Sequence, residues 1–134
     1  MPLYFITSAN KSFLNIIVTS IYFDNLSQES VKDNLSGISQ RSKYRLRWYG
    51  DQNARETKKS IFEIKQKNNK LGSKQRFDFI NRNPLTSSTF SELMQDLKHS
   101  NIHDVCNLSA LHPLIHVQYK RNYFEGFQGV RVTI

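Results

Sequence analysis

With 134 residues the chain has room for one domain or part of one, and its 19 Lys and Arg against 11 Asp and Glu give a formal net charge of +8. Hydrophobic residues make up 38% of it and aromatics 12%, enough for a packed core, which excludes a disordered basic tail and points to anionic partners. The lone cysteine, Cys106, excludes an intrachain disulfide and fits a reducing compartment; in Val105-Cys106-Asn107-Leu108 it reads as a small core residue rather than a nucleophile.

No segment reads as membrane-spanning. The most apolar window, Phe13 to Val18, is interrupted by Asn15 and falls far short of the ~20 residues a span needs. The amino terminus lacks a basic region leading into an apolar stretch and a cleavage site, so a cytoplasmic location is expected.

Strand signals dominate the chain. Ile16 to Phe23 is rich in β-branched and aromatic residues and stops at Asp24-Asn25. A short helix is predicted from Ser27 to about Leu35, with Ser27 as its cap, Glu29 in its first turn and Gly37 beyond its end. Tyr44 to Tyr49 alternates as a strand before a Gly50-Asp51-Gln52-Asn53 turn. Ser60 to Lys67 and Lys74 to Ile80 read as an antiparallel pair joined through Asn68-Asn69-Lys70-Leu71-Gly72. Beyond Pro84 the period changes: a helix starting at Ser87 or Ser88 places Phe90, Leu93, Met94 and Leu97 on one face. Residues 101–113 read as irregular or helical. Ile115 to Phe124 is a long predicted strand, Gly126 and Gly129 bracket a turn, and Val130 to Ile134 is a last strand.

The alternation of side chains along a strand then sorts the charges. Lys43, Arg45 and Arg47 share one face and Tyr44, Leu46 and Trp48 the other. Glu63, Lys65 and Lys67 lie opposite Phe62 and Ile64, and Lys74 and Arg76 opposite Phe77 and Phe79. Tyr119 and Arg121 share a face, and Arg131 faces away from Val130 and Val132. For a single strand, outward cations mean a solvated surface. When successive strands all carry them, like charges on neighbours repel unless an anion compensates. Arginine offers a planar fork of donors matched to phosphate oxygens, so a polyanion held by a basic channel is the natural complement.

These residues also carry a family likeness. Ser20-Ile21-Tyr22-Phe23-Asp24 resembles the SIYFD segment of VTC domains, and Arg41-Ser42-Lys43-Tyr44-Arg45-Leu46-Arg47-Trp48-Tyr49-Gly50 resembles their R-x-K-x-R-x-R-W-Y-G run. Phe62 to Lys67 is similar to the family's LEIKxK strand, and Gly72 to Arg76 to its return strand. His116 to Tyr123 resembles its xYxRxxY segment, and Arg131-Val132-Thr133-Ile134 its RVTID. The segments follow family order over nearly the whole chain. The resemblance implies an α+β fold, a mostly antiparallel β tunnel or barrel of the triphosphate tunnel type with flanking helices. It implies a polyphosphate polymerase that binds ATP or another nucleoside triphosphate with a divalent metal, manganese or magnesium, and transfers the terminal phosphoryl group to a polyphosphate chain. Carried over by position, Arg45, Arg47, Lys65, Lys74, Arg121 and Arg131 would be phosphate ligands on the tunnel wall, with Tyr119 adding a hydroxyl donor and Lys43, Lys67, Arg76 and Glu63 in secondary places.

The family's first strand and its last strands, which carry the metal-binding glutamate and a further lysine, have no counterpart in residues 1–134. The chain is therefore expected to be a partial domain without a metal ligand of its own and inactive alone. Glu63 is expected to pair with Lys65 or a neighbouring arginine rather than hold the metal, and Asp24 and Asp78 to serve turn and sheet face. Two other readings remain: a non-catalytic polyphosphate- or nucleotide-binding module, and a nucleic-acid-binding domain. The last is disfavoured, because Trp48 lies on the face away from the arginines, whereas a single-strand binder wants both together. His99, His103, His112 and His116 are scattered, and neither a nucleophile elbow nor a Gly-rich phosphate loop occurs.

Overall fold

A computed structural model describes residues 16–50, 58–125 and 131–134. The order of elements is β1 (Ile16–Asp24), α1 (Glu29–Leu35), β2 (Gln40–Gly50), β3 (Lys59–Asn68), β4 (Leu71–Ile80) and α2 (Phe90–Lys98). Two short 3-10 turns, Asn101–Asp104 and Leu108–Ala110, lead into β5 (His112–Arg121), β6 (Tyr123–Glu125) and β7 (Arg131–Thr133). β1 to β5 form one five-stranded sheet in the order β4-β3-β2-β1-β5, every neighbour antiparallel, and β6 and β7 form a separate pair. The fold is α+β, with an open sheet consistent with an incomplete tunnel.

Alternation divides the sheet into two faces. On one, Ile21, Phe23, Leu46, Phe62, Ile64 and Phe79 are buried. They are covered by Leu93 and Leu97 of α2 and by Ile102, Leu108 and Leu111 of the segment after it. Four residues further down the helix from Leu93, Leu97 meets the same surface, which is the repeat an amphipathic helix needs. Phe90 does not join them: it is 52% exposed, because it opens the first turn and lies beyond the edge of the covered area. Cys106 packs half-buried against this core, and burial pushes its thiol pKa up, as suits an inert core residue.

The helix starts correct the expected caps. Thr89, not Ser87 or Ser88, caps α2: its Oγ1 accepts from Glu92 N while Glu92 Oε2 accepts from Thr89 N. Ser87 and Ser88 instead donate back to Pro84 O. At α1, Ser27 makes no cap. Asn25 Oδ1 accepts from Glu29 N, and the buried Asp24 carboxylate accepts from Ser30 N and Val31 N. Asp24 thus welds the end of β1 to the start of α1, a role beyond that of a turn residue. Gly37, at φ +66°, carries the chain out of α1 in the left-handed conformation that glycine adopts without a Cβ clash.

Strands are longer than their alternation suggested, because a hydrogen-bonded neighbour extends them. β2 runs back to Gln40, paired with Asn68, and β4 begins at Leu71 after a tight turn at Asn69-Lys70. Gly50 closes β2 opposite Ile17, and the rest of the expected turn, 51–53, lies outside the described residues. The single strand expected from Ile115 to Phe124 is two. β5 leaves the sheet at Arg121, and Asn122 exchanges backbone hydrogen bonds with Ile134, which redirects the chain into the β6–β7 pair. The Gly126 to Gly129 turn lies outside the described residues. A bulge in the β1–β5 register at Tyr22/Phe23 brings Pro113 opposite Phe23, and β5, an edge strand, tolerates its missing donor.

Candidate polyanion-binding face

The second face of the sheet carries the charge. Strand register arranges it in rungs running across the strands. Nearest α1, Arg41 of β2 lies opposite Lys67 of β3. The next rung is Lys43–Lys65–Lys74 across β2, β3 and β4. Then come Tyr22–Arg45–Glu63–Arg76 and Ser20–Arg47–Ile61–Asp78. β5 contributes Tyr119, opposite Val18, and Arg121, opposite Ile16. Antiparallel pairing keeps one parity on one side, so all of these side chains belong to the same surface.

The first two rungs hold cations only. Lysines directly opposite one another on adjacent strands repel, and no side-chain acid stands in either rung to offset them. The third rung is organised around a carboxylate. Glu63 is 3% exposed and accepts from Arg45 Nε at 2.7 Å and from Arg45 Nη2. Its other oxygen, Oε1, lies 3.1 Å from Lys74 Nζ and 3.1 Å from Arg76 Nε, as ion-pair contacts without an aligned hydrogen bond. Burial alone would raise the Glu63 pKa, but the Arg45 hydrogen bonds and the close charges of Arg45 and Lys74 hold it below the ordinary carboxylate value. Burial likewise opposes the charge on Arg45, and hydrogen bonds to Tyr22 and Glu63 outweigh it, so the guanidinium pKa is raised.

Tyrosines and a serine orient the arginines. Arg45 Nη1 donates to Tyr22 Oη at 3.3 Å, with its guanidinium carbon 5.8 Å from the Tyr22 ring centre. Arg47 Nε donates to the buried Ser20 Oγ at 2.9 Å. At the far corner Arg121 donates to Tyr119 Oη at 2.7 Å and to Tyr123 Oη at 3.1 Å, and lies over both rings. The Tyr123 bond is the main reason its guanidinium pKa is raised. A tyrosine oxygen that accepts from arginine keeps its own O–H to donate, so each such pair presents donors to an anion.

Sequence reasoning located most of this face. Lys43, Arg45, Arg47, Lys65, Lys67, Lys74, Arg76, Tyr119, Arg121 and Glu63 all fall on the one surface. Glu63 meets Arg45, Arg76 and Lys74; its cross-strand neighbours, not Lys65, take the charge. Arg121 stands about 30 Å from Lys74 measured over the sheet surface, at the diagonally opposite corner, so the two do not form one compact pocket. Arg131 lies on β7, outside the five-stranded sheet, and its side chain lies outside the described residues. Ser20, Tyr22 and Tyr123 were missed as members of the site; the parity of β1 would have found the first two once its pairing with β2 was known.

Trp48 sits on the opposite face, its ring stacked on His116 at 6.3 Å. His99 closes α2 with its Nδ1 2.7 Å from Gln95 O, and the His103 side chain lies outside those described. A divalent cation does not fit the described residues. Glu63 is engaged by three cations, and among the described residues no group of three His, Cys, Asp or Glu side chains gathers. The donors of this face suit phosphate oxygens instead. Among the described residues, no helix is long and apolar enough to cross a membrane.

An open antiparallel sheet with α2 packed on one side and ranked arginines and lysines on the other is an α+β architecture consistent with an incomplete β tunnel. The chain belongs to the VTC domain family, whose model matches residues 4–134. No curated protein matches the chain.

Proposed function

We propose that the cationic face binds a polyphosphate chain or the triphosphate of a nucleotide, and that the chain is part of a polyphosphate polymerase domain transferring a terminal phosphoryl group to polyphosphate. The observation that carries this reading is the Lys43–Lys65–Lys74 rung: three cations aligned across neighbouring strands, of which only Lys74 reaches an acid, Glu63 of the next rung. A sheet arranged only for stability would set opposite charges across such positions. Arg45, Arg47 and Arg121, fixed by Tyr22, Ser20 and Tyr119, then present donors already oriented, so little side-chain entropy is lost on binding. Phosphoryl transfer asks a protein mainly for positioning and charge neutralisation, which these residues supply. The divalent metal suggested by the family would provide further neutralisation of the phosphates, and its ligands are not assembled by the described residues.

Titration of the chain with a long polyphosphate tests the reading. Binding is expected with a steep salt dependence, its slope set by the number of phosphates contacted. Absence of binding at low salt defeats it. A second reading, a binding module without chemistry, is favoured by the donor-rich face itself, whose buried carboxylate, Glu63, is already engaged by three cations and which gathers no group of three metal-ligating side chains among the described residues. Incubation with ATP and manganese separates the two: polymer formed supports the enzyme, and binding without ATP consumption supports the module. An oligonucleotide is expected to compete poorly, since Trp48 lies on the other face.

A further inference from the structure

Glu63 stands out on this face as a buried acid surrounded by more positive charge than it can neutralise. β2 supplies Arg45, opposite it in register, and β4 supplies Arg76 on the other side, while Lys74 reaches over from the neighbouring rung. A carboxylate that served stability alone would need one cationic partner. Here three converge on one carboxylate, leaving a net positive cluster.

The cations are not used up. Arginine carries five N–H donors and lysine three. Arg76 and Lys74 meet Glu63 through a single nitrogen each, and their side chains are 52% and 46% exposed. Their remaining donors are open to a ligand on the solvent side. The carboxylate and an incoming phosphate would therefore share the same three cations, one from beneath and one from above.

We propose that Glu63 is a positioning residue that acts as a built-in counter-anion: it keeps Arg45, Lys74 and Arg76 gathered when no phosphate chain is bound, and its charge limits how tightly the face grips one. This rests on the polyphosphate reading above. Such a limit matters for a chain that must slide or leave, because a face of cations alone would hold a polyanion too firmly to release it. The lowered pKa of Glu63 agrees, since the group stays ionised at neutral pH.

Calorimetric titration of the full chain with tripolyphosphate at low salt tests this in three forms: wild type, Glu63→Gln and Glu63→Asp. Gln keeps the shape and one acceptor but removes the charge; Asp keeps the charge. Glu63→Gln is expected to bind about fivefold tighter or more, and Glu63→Asp to bind like wild type. A purely structural role predicts weaker binding by Glu63→Gln, and equal or weaker binding overturns the proposal. If Glu63→Gln does not fold alone, its melting is followed with excess tripolyphosphate: a restored cooperative transition supports the counter-anion role, and continued absence of one overturns it. A wild-type chain that does not bind tripolyphosphate defeats the polyphosphate reading itself. A wild-type chain that binds, with Glu63→Gln no tighter, defeats only the inference about Glu63.

Discussion

Lys65 faces Lys43 on one side and Lys74 on the other, and that arrangement has opposite consequences for stability and for binding. Replacing it with the uncharged Lys65→Met removes a repulsion from the free chain and a donor from the bound one. The variant is expected to unfold at higher urea concentration, by about 0.5 kcal/mol at low salt. Its polyphosphate affinity is expected to fall, with the salt slope reduced by about one. A lysine that merely faced water would show neither change. Glu63 makes the pH prediction at this scale. Its folded pKa lies below the unfolded reference of 4.5, so the stability it contributes is complete above that value and is lost as pH falls through the folded one. Acid titration of stability by urea denaturation is expected to show this loss in wild type and not in Glu63→Gln.

At the scale of elements, the two helices are started by different chemistry and answer to different substitutions. α2 has a full capping box between Thr89 and Glu92, at an exposed position remote from the charged face. Thr89→Ala is expected to cost about 1 kcal/mol in urea denaturation and to leave polyphosphate affinity unchanged. α1 depends instead on Asp24, whose carboxylate accepts from the backbone of Asn25, Ser30 and Val31. The caps show where local sequence stops being informative. Ser87, Ser88 and Ser27 all satisfy the usual preference for a capping residue, yet the chain direction set by Pro84 and by the end of β1 hands the task to others. The same holds for β5 and β6. Ile115 to Phe124 reads as one strand because alternation continues through it, and only the pairing of Asn122 with Ile134 divides it.

Across the whole molecule the sheet has two surfaces with separate duties. Its apolar side is covered by α2 and the turns that follow, and Arg82 ties the loop after β4 to Asp96 of α2 through backbone and side-chain bonds. Its other side carries the cationic rungs. The two should be separable by mutation: Leu97→Ala, at a fully buried position, is expected to cost about 2–5 kcal/mol by chemical denaturation. The folded fraction should bind polyphosphate as wild type does, measured at a temperature where the variant is still folded.

The sequence determined which residues could share a face, since the two-residue period of a strand is a local geometric fact, and Lys43, Arg45, Arg47, Glu63, Lys65 and Lys67 could be sorted without coordinates. Tertiary structure alone decided which of them meet. Register, a matter of hydrogen bonding between strands distant along the chain, set Lys74 against Lys65, Arg76 against Glu63 and Tyr22 against Arg45. It also carried Arg121 to the far corner and left Arg131 outside the sheet, because the pairing of one backbone with another is not written in the alternation of either.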